Sequence, residues 1–341
     1  KRIKNKMSNK YLSTFPSSRL RRSRSNNWIR NLLSENELTI NDLIWPVFIC
    51  EGNNKKDEIS SMPNVYRYSI DQLEEISETA NSLGINLIAL FPYTPEEKKT
   101  KNAEESINSK NLVCQALKKI KSQNNNFGVM CDIALDPYTS HGHDGLVNDD
   151  GIILNDETNS LLVKQALLFA EHEADIIAPS DMMDGRIGKI RNKLEEERYH
   201  NTLILSYAAK YASKMYSPFR DAVGSSSNLK TDKKTYQMDI SNSNEALREV
   251  AMDIQEGADI VMVKPGISYL DIIYKIKSEF NFPTFAYQVS GEYSMIKAAA
   301  DKGFINEDEI VIEQLTAFKR AGADAILSYF APEVAQKLKS R

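Results

Sequence analysis

A chain of 341 residues, 41% hydrophobic and 26% charged, holds enough apolar material for one large core or two ordinary ones. Its formal net charge of −4 excludes a global positive field that would draw it to nucleic acid, and no apolar run approaches the ~18 residues needed to span a bilayer. The three cysteines, Cys50, Cys114 and Cys131, match neither a disulfide framework nor a paired-cysteine zinc site, which points to a reducing cytoplasm.

Residues 1–40 are basic and rich in Ser and Asn, without sustained periodicity. They read as an arm outside the main fold, ordered by contact with another subunit. The run Arg19, Arg21, Arg22, Arg24 fits a solvated or subunit-contacting arm better than a nucleic-acid patch. From residue 41 to 341 the pattern changes to short apolar runs alternating with longer amphipathic stretches. The runs are Leu43–Cys50, Asn86–Phe91, Phe127–Ile133, Asp175–Ala178, Thr202–Ser206, Asp259–Val263, Thr284–Tyr287 and Asp324–Ser328. Each has the length and composition of a strand buried on both faces. Helical patterns lie between most of them, at Asp71–Leu83, Glu104–Ser122, Glu157–His172, Asn244–Gln255 and Glu307–Arg320.

Ser69 and Gln72 stand at capping-box spacing, and Gly84, Gly257 and Gly322 fall where a helix must stop. An internal echo joins helix ends to strands at Ala174-Asp175-Ile176, Gly257-Ala258-Asp259-Ile260 and Gly322-Ala323-Asp324-Ala325. Eight alternating strand–helix units predict a single α/β domain, a (β/α)8 TIM barrel with an extended N-terminal arm. An open doubly wound sheet is the rival, but no Gly-x-Gly-x-x-Gly follows the first strand. A barrel demands that its chemistry cluster just after the strands.

Lys264 closes an otherwise apolar strand, where desolvation would lower its pKa and leave free amine for attack on a ketone. The competing reading is a lysine that snorkels to solvent. Lys210 follows another strand, and two lysines at one mouth would repel each other's charge. One amine suits a class I aldolase; two suit a condensation of two ketones. The stretch from Asp132 through Asp136, His141 and His143 to Asp144 suits either a hard-cation or acid–base site, or a set of capped turns. Ser180 and Asp181 follow the next strand and could equally cap a helix. Between Lys210 and Lys264 a polar segment with Arg220, Lys230, Lys233, Lys234 and Gln237 suggests either a lid that binds carboxylates or a surface loop.

Seven segments, in order, resemble the porphobilinogen synthase (5-aminolevulinate dehydratase) family. They are Arg19-Leu-Arg-Arg, Tyr138-Thr-Ser-His-Gly-His, Ala178-Pro-Ser-Asp-Met-Met-Asp-Gly-Arg, Tyr216-Ser-Pro-Phe-Arg-Asp-Ala, Tyr236-Gln-Met, Met262-Val-Lys-Pro-Gly and Tyr287-Gln-Val-Ser-Gly-Glu-Tyr. The resemblance implies a hydro-lyase of tetrapyrrole (heme) biosynthesis that condenses two 5-aminolevulinate molecules per site to porphobilinogen. On that basis Lys264 and Lys210 would be the Schiff-base lysines, with Asp132 and Ser180 orienting the amino group and assisting proton transfer. Ser290 and Tyr329 would grip one carboxylate; Arg220, Lys233 and Gln237 would grip the other. The same resemblance implies a homo-octamer in which the arm embraces a neighbour.

Zinc-binding members carry three cysteines where Ala134, Asp136 and Asp144 stand here, so no zinc is expected. The chain resembles the aspartate-rich branch instead, which implies activating Mg²⁺ near Glu249, with Asp136 and Asp144 as further candidate ligands. Glu249 reads otherwise as an exposed helix carboxylate, or one that repels Asp253 four residues on. The alternatives to the whole reading are another Schiff-base aldolase and a barrel that serves only as a scaffold.

Overall fold

The computed structural model describes residues 13–123, 125–225 and 232–340. The chain divides into two compact units, Lys1–Glu37 and Leu38–Arg341. The first holds a 3-10 turn, Leu20–Arg24, and a short helix, Asn27–Leu32, with Phe15, Leu20, Trp28, Leu32 and Leu33 all exposed.

Among its described residues the second unit contains ten strands: β1 Leu43–Cys50, β2 Lys56–Glu58, β3 Tyr66–Ser69, β4 Leu87–Pro92, β5 Gly128–Ile133, β6 Ile176–Pro179, β7 Leu203–Lys210, β8 Ile260–Lys264, β9 Thr284–Gln288 and β10 Ala325–Ser328. Eight of them run parallel in the order β1, β4, β5, β6, β7, β8, β9, β10, and β10 returns to β1 through Leu43↔Ile326 and Ile44↔Leu327. Helices connect the strands, and the sheet closes as a (β/α)8 barrel, as the strand–helix alternation predicts. Every predicted run becomes a barrel strand with ends shifted by no more than one residue, except β7, which continues four residues past Ser206 to Lys210.

The echo has a physical cause. Asp175 Oδ2 accepts the backbone N–H of Val129 at 2.7 Å, Asp259 Oδ2 that of Ile204 at 2.7 Å, and Asp324 Oδ2 that of Thr284 at 2.8 Å. Each aspartate thus stands just before one strand and holds the start of the strand beside it. A cation closes each bracket at 2.6 Å: Lys121 on Asp175, Arg191 on Asp259 and Lys277 on Asp324.

Three differences from the predicted elements stand out. The pattern over Glu104–Ser122 splits into a 3-10 turn, Glu104–Ile107, and a helix, Leu112–Lys121, because the Asn111 side chain accepts the N–H of Cys114 at 2.9 Å and starts the helix there. Ser69 builds no capping box; its hydroxyl accepts the N–H of Lys55 at 2.8 Å instead. β2 and β3 form an antiparallel hairpin unforeseen in the sequence, and β3 pairs with Phe48–Cys50, the part of β1 that β10 leaves open. Gly84, Gly257 and Gly322 do end their helices, in the left-handed region at φ 77°, 105° and 108°. No helix of the described residues is long and apolar enough to cross a membrane.

Candidate active site

Six consecutive strands, β5 to β10, deliver the candidate residues at or just beyond their C-terminal ends: Asp132, Ser180, Lys210, Lys264, Ser290 and Tyr329. The two lysines are direct register partners on adjacent parallel strands. Strand spacing alone therefore sets their backbones about 5 Å apart. Their common direction depends on a bulge. Ser206 pairs with Val261 and Ala209 with Val263, so β7 spends one residue more than β8 over the same span. Ser206 points outward, its hydroxyl meeting Arg186 at 3.2 Å and Asp253 on the helix layer. Strict alternation from Ser206 would turn Lys210 outward as well; the extra residue turns it into the mouth beside Lys264.

Four rings surround Lys264, with its Nζ 4.5 Å from the centroid of Tyr287, 4.9 Å from Phe219, 5.0 Å from Tyr207 and 5.5 Å from Tyr216. Ring faces favour the cation, by about 2 kcal/mol or more each where desolvated. Burial and then the charge of Lys210 act against it and prevail over the pull of Asp132, which leaves the amine lowered to about 7. Burial pushes the Asp132 carboxyl up to about 6, while Lys264 and Lys210 pull it back. Its Oδ1 is sealed from solvent and has no hydrogen-bond partner among the described residues. A carboxyl and an amine that both change charge near neutrality can pass protons at this mouth.

Lys210 Nζ donates to the carbonyl of Ser180 and lies 3.5 Å from Asp144 Oδ1. Asp144 also meets Lys233 at 2.9 Å, and Asp136 lies 3.2 Å from the same Lys233. Burial raises the Asp144 carboxyl, but Lys210 and Lys233 outweigh it and hold the group well below the usual carboxylate range. The stretch from Asp136 to Asp144 is therefore paired with lysines, and it receives the Tyr236 hydroxyl 3.1 Å from His143 Nδ1. Among the described residues no three His, Cys, Asp or Glu side chains gather as a metal-holding group. Asp136 and Asp144, candidate ligands in the sequence, thus have Lys233 and Lys210 as neighbours in the structure. Residues 226–231, the middle of the segment expected to cover the site, lie outside the described residues.

The remaining candidates fall into place around this core. Ser290 is buried, accepts the N–H of Phe219 at 2.9 Å and donates to the Met215 carbonyl at 3.4 Å. The Tyr329 hydroxyl shares a hydrogen bond of 2.8 Å with Tyr287. Arg220 follows Phe219 on the helix Ser217–Ala222, and its charge acts on Lys233. Gln237 is buried and lines a cavity of about 510 Å³ together with Asp184, Lys234, Glu245 and Glu249. Glu249 is half-buried rather than an exposed helix carboxylate. Burial raises its pKa; Arg186 lowers it, and Asp253, Asp184 and Glu245 raise it further. Ser180 and Asp181 do not cap the next helix, Arg186–Glu196, whose N-cap is Gly185; Asp181 accepts the N–H of Met183 at 2.7 Å instead.

Two features escaped the sequence. The tyrosine cage of Lys264 includes Tyr207, whose inward direction depends on the phase of β7. Glu292 binds the turn after Lys264 to the start of the helix Ser290–Asp301, accepting Ile267 N–H at 2.6 Å and Val289 N–H at 2.7 Å. A buried acid two residues after Ser290, in a stretch with no other acid nearby, was the available signal.

A barrel whose mouth sets two in-register lysines among buried carboxylates and rings defines the class of amine-nucleophile, Schiff-base enzymes. Comparison with known proteins narrows the class. The model of the family described as "Delta-aminolevulinic acid dehydratase" matches residues 17–337. The delta-aminolevulinic acid dehydratase of Bradyrhizobium diazoefficiens is 56% identical over 95% of this chain and 91% of its own length. That of Rhodobacter capsulatus is 51% identical over 94% of this chain and 97% of its own. The crystal structure of the Toxoplasma gondii ME49 enzyme, in complex with the reaction product porphobilinogen, superposes with a TM-score of 0.92 at 47% identity, covering 94% of this chain and 91% of that one. The chain belongs to the delta-aminolevulinic acid dehydratase (porphobilinogen synthase) family.

Proposed function

We propose that this enzyme condenses two molecules of 5-aminolevulinate to porphobilinogen, with net loss of two waters. The observation that carries the mechanism is the in-register pair Lys210 and Lys264 at one mouth. Each amine adds to a ketone carbon and expels water to form an imine, which acidifies the neighbouring C–H. One substrate is then deprotonated and attacks the imine carbon of the other, whose lysine leaves by elimination. The free amino group closes the ring on the remaining imine carbon and expels the second lysine, and loss of a proton completes the aromatic ring. Lys264 holds the substrate that supplies the propionate arm and Lys210 the one that supplies the acetate arm. Ser290 and Tyr329 bind the first carboxylate, and Arg220, Lys233 and Gln237 the second. Asp132 and Ser180 orient the amino group and move protons. Two substrates fixed on one rigid rim avoid most of the entropic barrier of a bimolecular encounter.

The test is borohydride reduction in the presence of 5-aminolevulinate, followed by mass mapping. An adduct on Lys264, with or without one on Lys210, is expected; folded protein with neither lysine modified refutes the mechanism.

We further propose that the chain is of the magnesium-responsive type and that Glu249 is the activating site. Glu249, Glu245 and Asp184 line one cavity, and Asp184 and Glu245 raise the cost of charge on Glu249, which a hard cation would relieve. Carboxylate oxygens suit Mg²⁺, which keeps several waters and needs only one or two of them. Self-association, to the octamer implied by the family resemblance, is supported by the exposed Trp28, Leu32 and Leu33 on the N-terminal unit. Three buried, unpaired thiols support a reducing, cytoplasmic setting.

A further inference from the structure

The β2–β3 hairpin and the turn after β4 bring two cations to a place that the chemistry above leaves unexplained. Arg67, on β3, donates from Nε to the carbonyl of Ala222 at 2.7 Å and from Nη2 to that of Asp221 at 2.7 Å. Lys99, buried, donates to the carbonyl of Gly224 at 2.5 Å. These acceptors lie at and just past the C-terminal end of the helix Ser217–Ala222, where the backbone dipole is negative, and the Asp221 carbonyl also accepts the N–H of Gly224 at 3.1 Å. Ser61 adds a bond of 2.6 Å to Asp221 Oδ2. The Arg67 guanidinium lies 4.6 Å from the centroid of Tyr93, and that ring packs so tightly on Gly224 that a Cβ there would come within 2.6 Å of it.

A helix of six residues cannot hold its place alone. This one carries Phe219, from the ring cage of Lys264, and Arg220. Its first turn is held by Ser290 through Phe219 N–H. Its last turn is held by the hairpin. The loop that carries Ser61 is itself fixed to the helix Ser290–Asp301, by Ser294 on the Ser61 carbonyl at 2.7 Å and Tyr293 on the Pro63 carbonyl at 2.6 Å.

We propose that Arg67, assisted by Lys99, is a positioning residue that fixes Arg220 for the carboxylate of the second 5-aminolevulinate; this rests on the role given to Arg220 above. Without Arg67 the Ala222 carbonyl loses its side-chain donor, the Asp221 carbonyl keeps only its backbone donors, and the end of the helix loosens. The substrate on Lys264, gripped by Ser290 and Tyr329, keeps its hold.

The experiment compares two concentrations of 5-aminolevulinate in wild type, Arg67→Met, Arg67→Lys and Lys99→Met: that which half-saturates condensation, and that which half-saturates borohydride trapping on Lys264. In Arg67→Met the first rises about tenfold, equivalent to about 1.4 kcal/mol. The second stays within about twofold, as does kcat. Lys99→Met moves the same way by less. Arg67→Lys recovers part of the loss, since lysine keeps the charge but not the two-pronged geometry; if the methionine variants fail to fold, this variant must still show the split. Unchanged condensation in Arg67→Met, or both concentrations rising together, overturns the proposal. Wild-type protein that traps nothing on Lys264 overturns the functional reading itself, so the two failures are told apart.

Discussion

At Lys264 the balance between burial and charge sets both reactivity and stability. With its amine lowered to about 7, the free nucleophile grows as pH rises through that value. Trapping on Lys264 at fixed substrate should therefore accelerate from pH 6 to 8 and then level off; a flat rate across that range contradicts it. The same shift has a stability consequence of definite sign. The folded group binds its proton less tightly than the unfolded one, so the unfolded state holds the extra proton between about 7 and 10.5. Stability thus rises with pH across that window, by up to about 1.4 kcal/mol per unit, and is flat below about 7, where both states hold the proton. Lys264→Met removes this dependence. In urea unfolding the variant should exceed wild type at pH 7, with its advantage shrinking towards pH 10.

The strand is the scale at which the barrel is specified. Asp175, Asp259 and Asp324 repeat one device at alternate interfaces, each accepting a backbone N–H from the neighbouring strand and facing a cation. Asp259→Ala deprives the N–H of Ile204 of its acceptor and Arg191 of its partner, and should lower unfolding free energy by about 1–3 kcal/mol, read from the denaturant midpoint at unchanged slope. The eight barrel strands were legible because each is an apolar run buried on both faces, a pattern that needs no partner to be seen. The hairpin was not, because Lys56–Glu58 is exposed and Tyr66–Ser69 only partly buried, so neither shows an apolar run. The lysines were legible as chemistry, at strand ends, but not as a pair facing one way. That depends on a bulge in β7, which residue types alone do not disclose. Nor could the sequence show Lys233 between Asp136 and Asp144, groups about a hundred residues apart in the chain that only the fold unites.

For the whole molecule, the cavity of Glu249 lies apart from the lysine mouth yet shares Gln237 and Lys234 with the segment that leads to Lys233. Protein stripped with EDTA should gain activity on addition of Mg²⁺, and Glu249→Gln should lose most of that gain; equal activity with and without the ion, in wild type, contradicts the site. Assembly is constrained by another feature. Ring closure leaves the sheet one free margin among the described residues, the outer side of β2, and all three residues there, Lys56, Asp57 and Glu58, are charged and exposed. A strand from a second molecule laid along that margin would have to desolvate three charges for a few backbone bonds. Copies of this protein are thereby steered away from stacking sheet on sheet, the route by which open β-structures grow into fibres, and towards contacts made by side chains elsewhere.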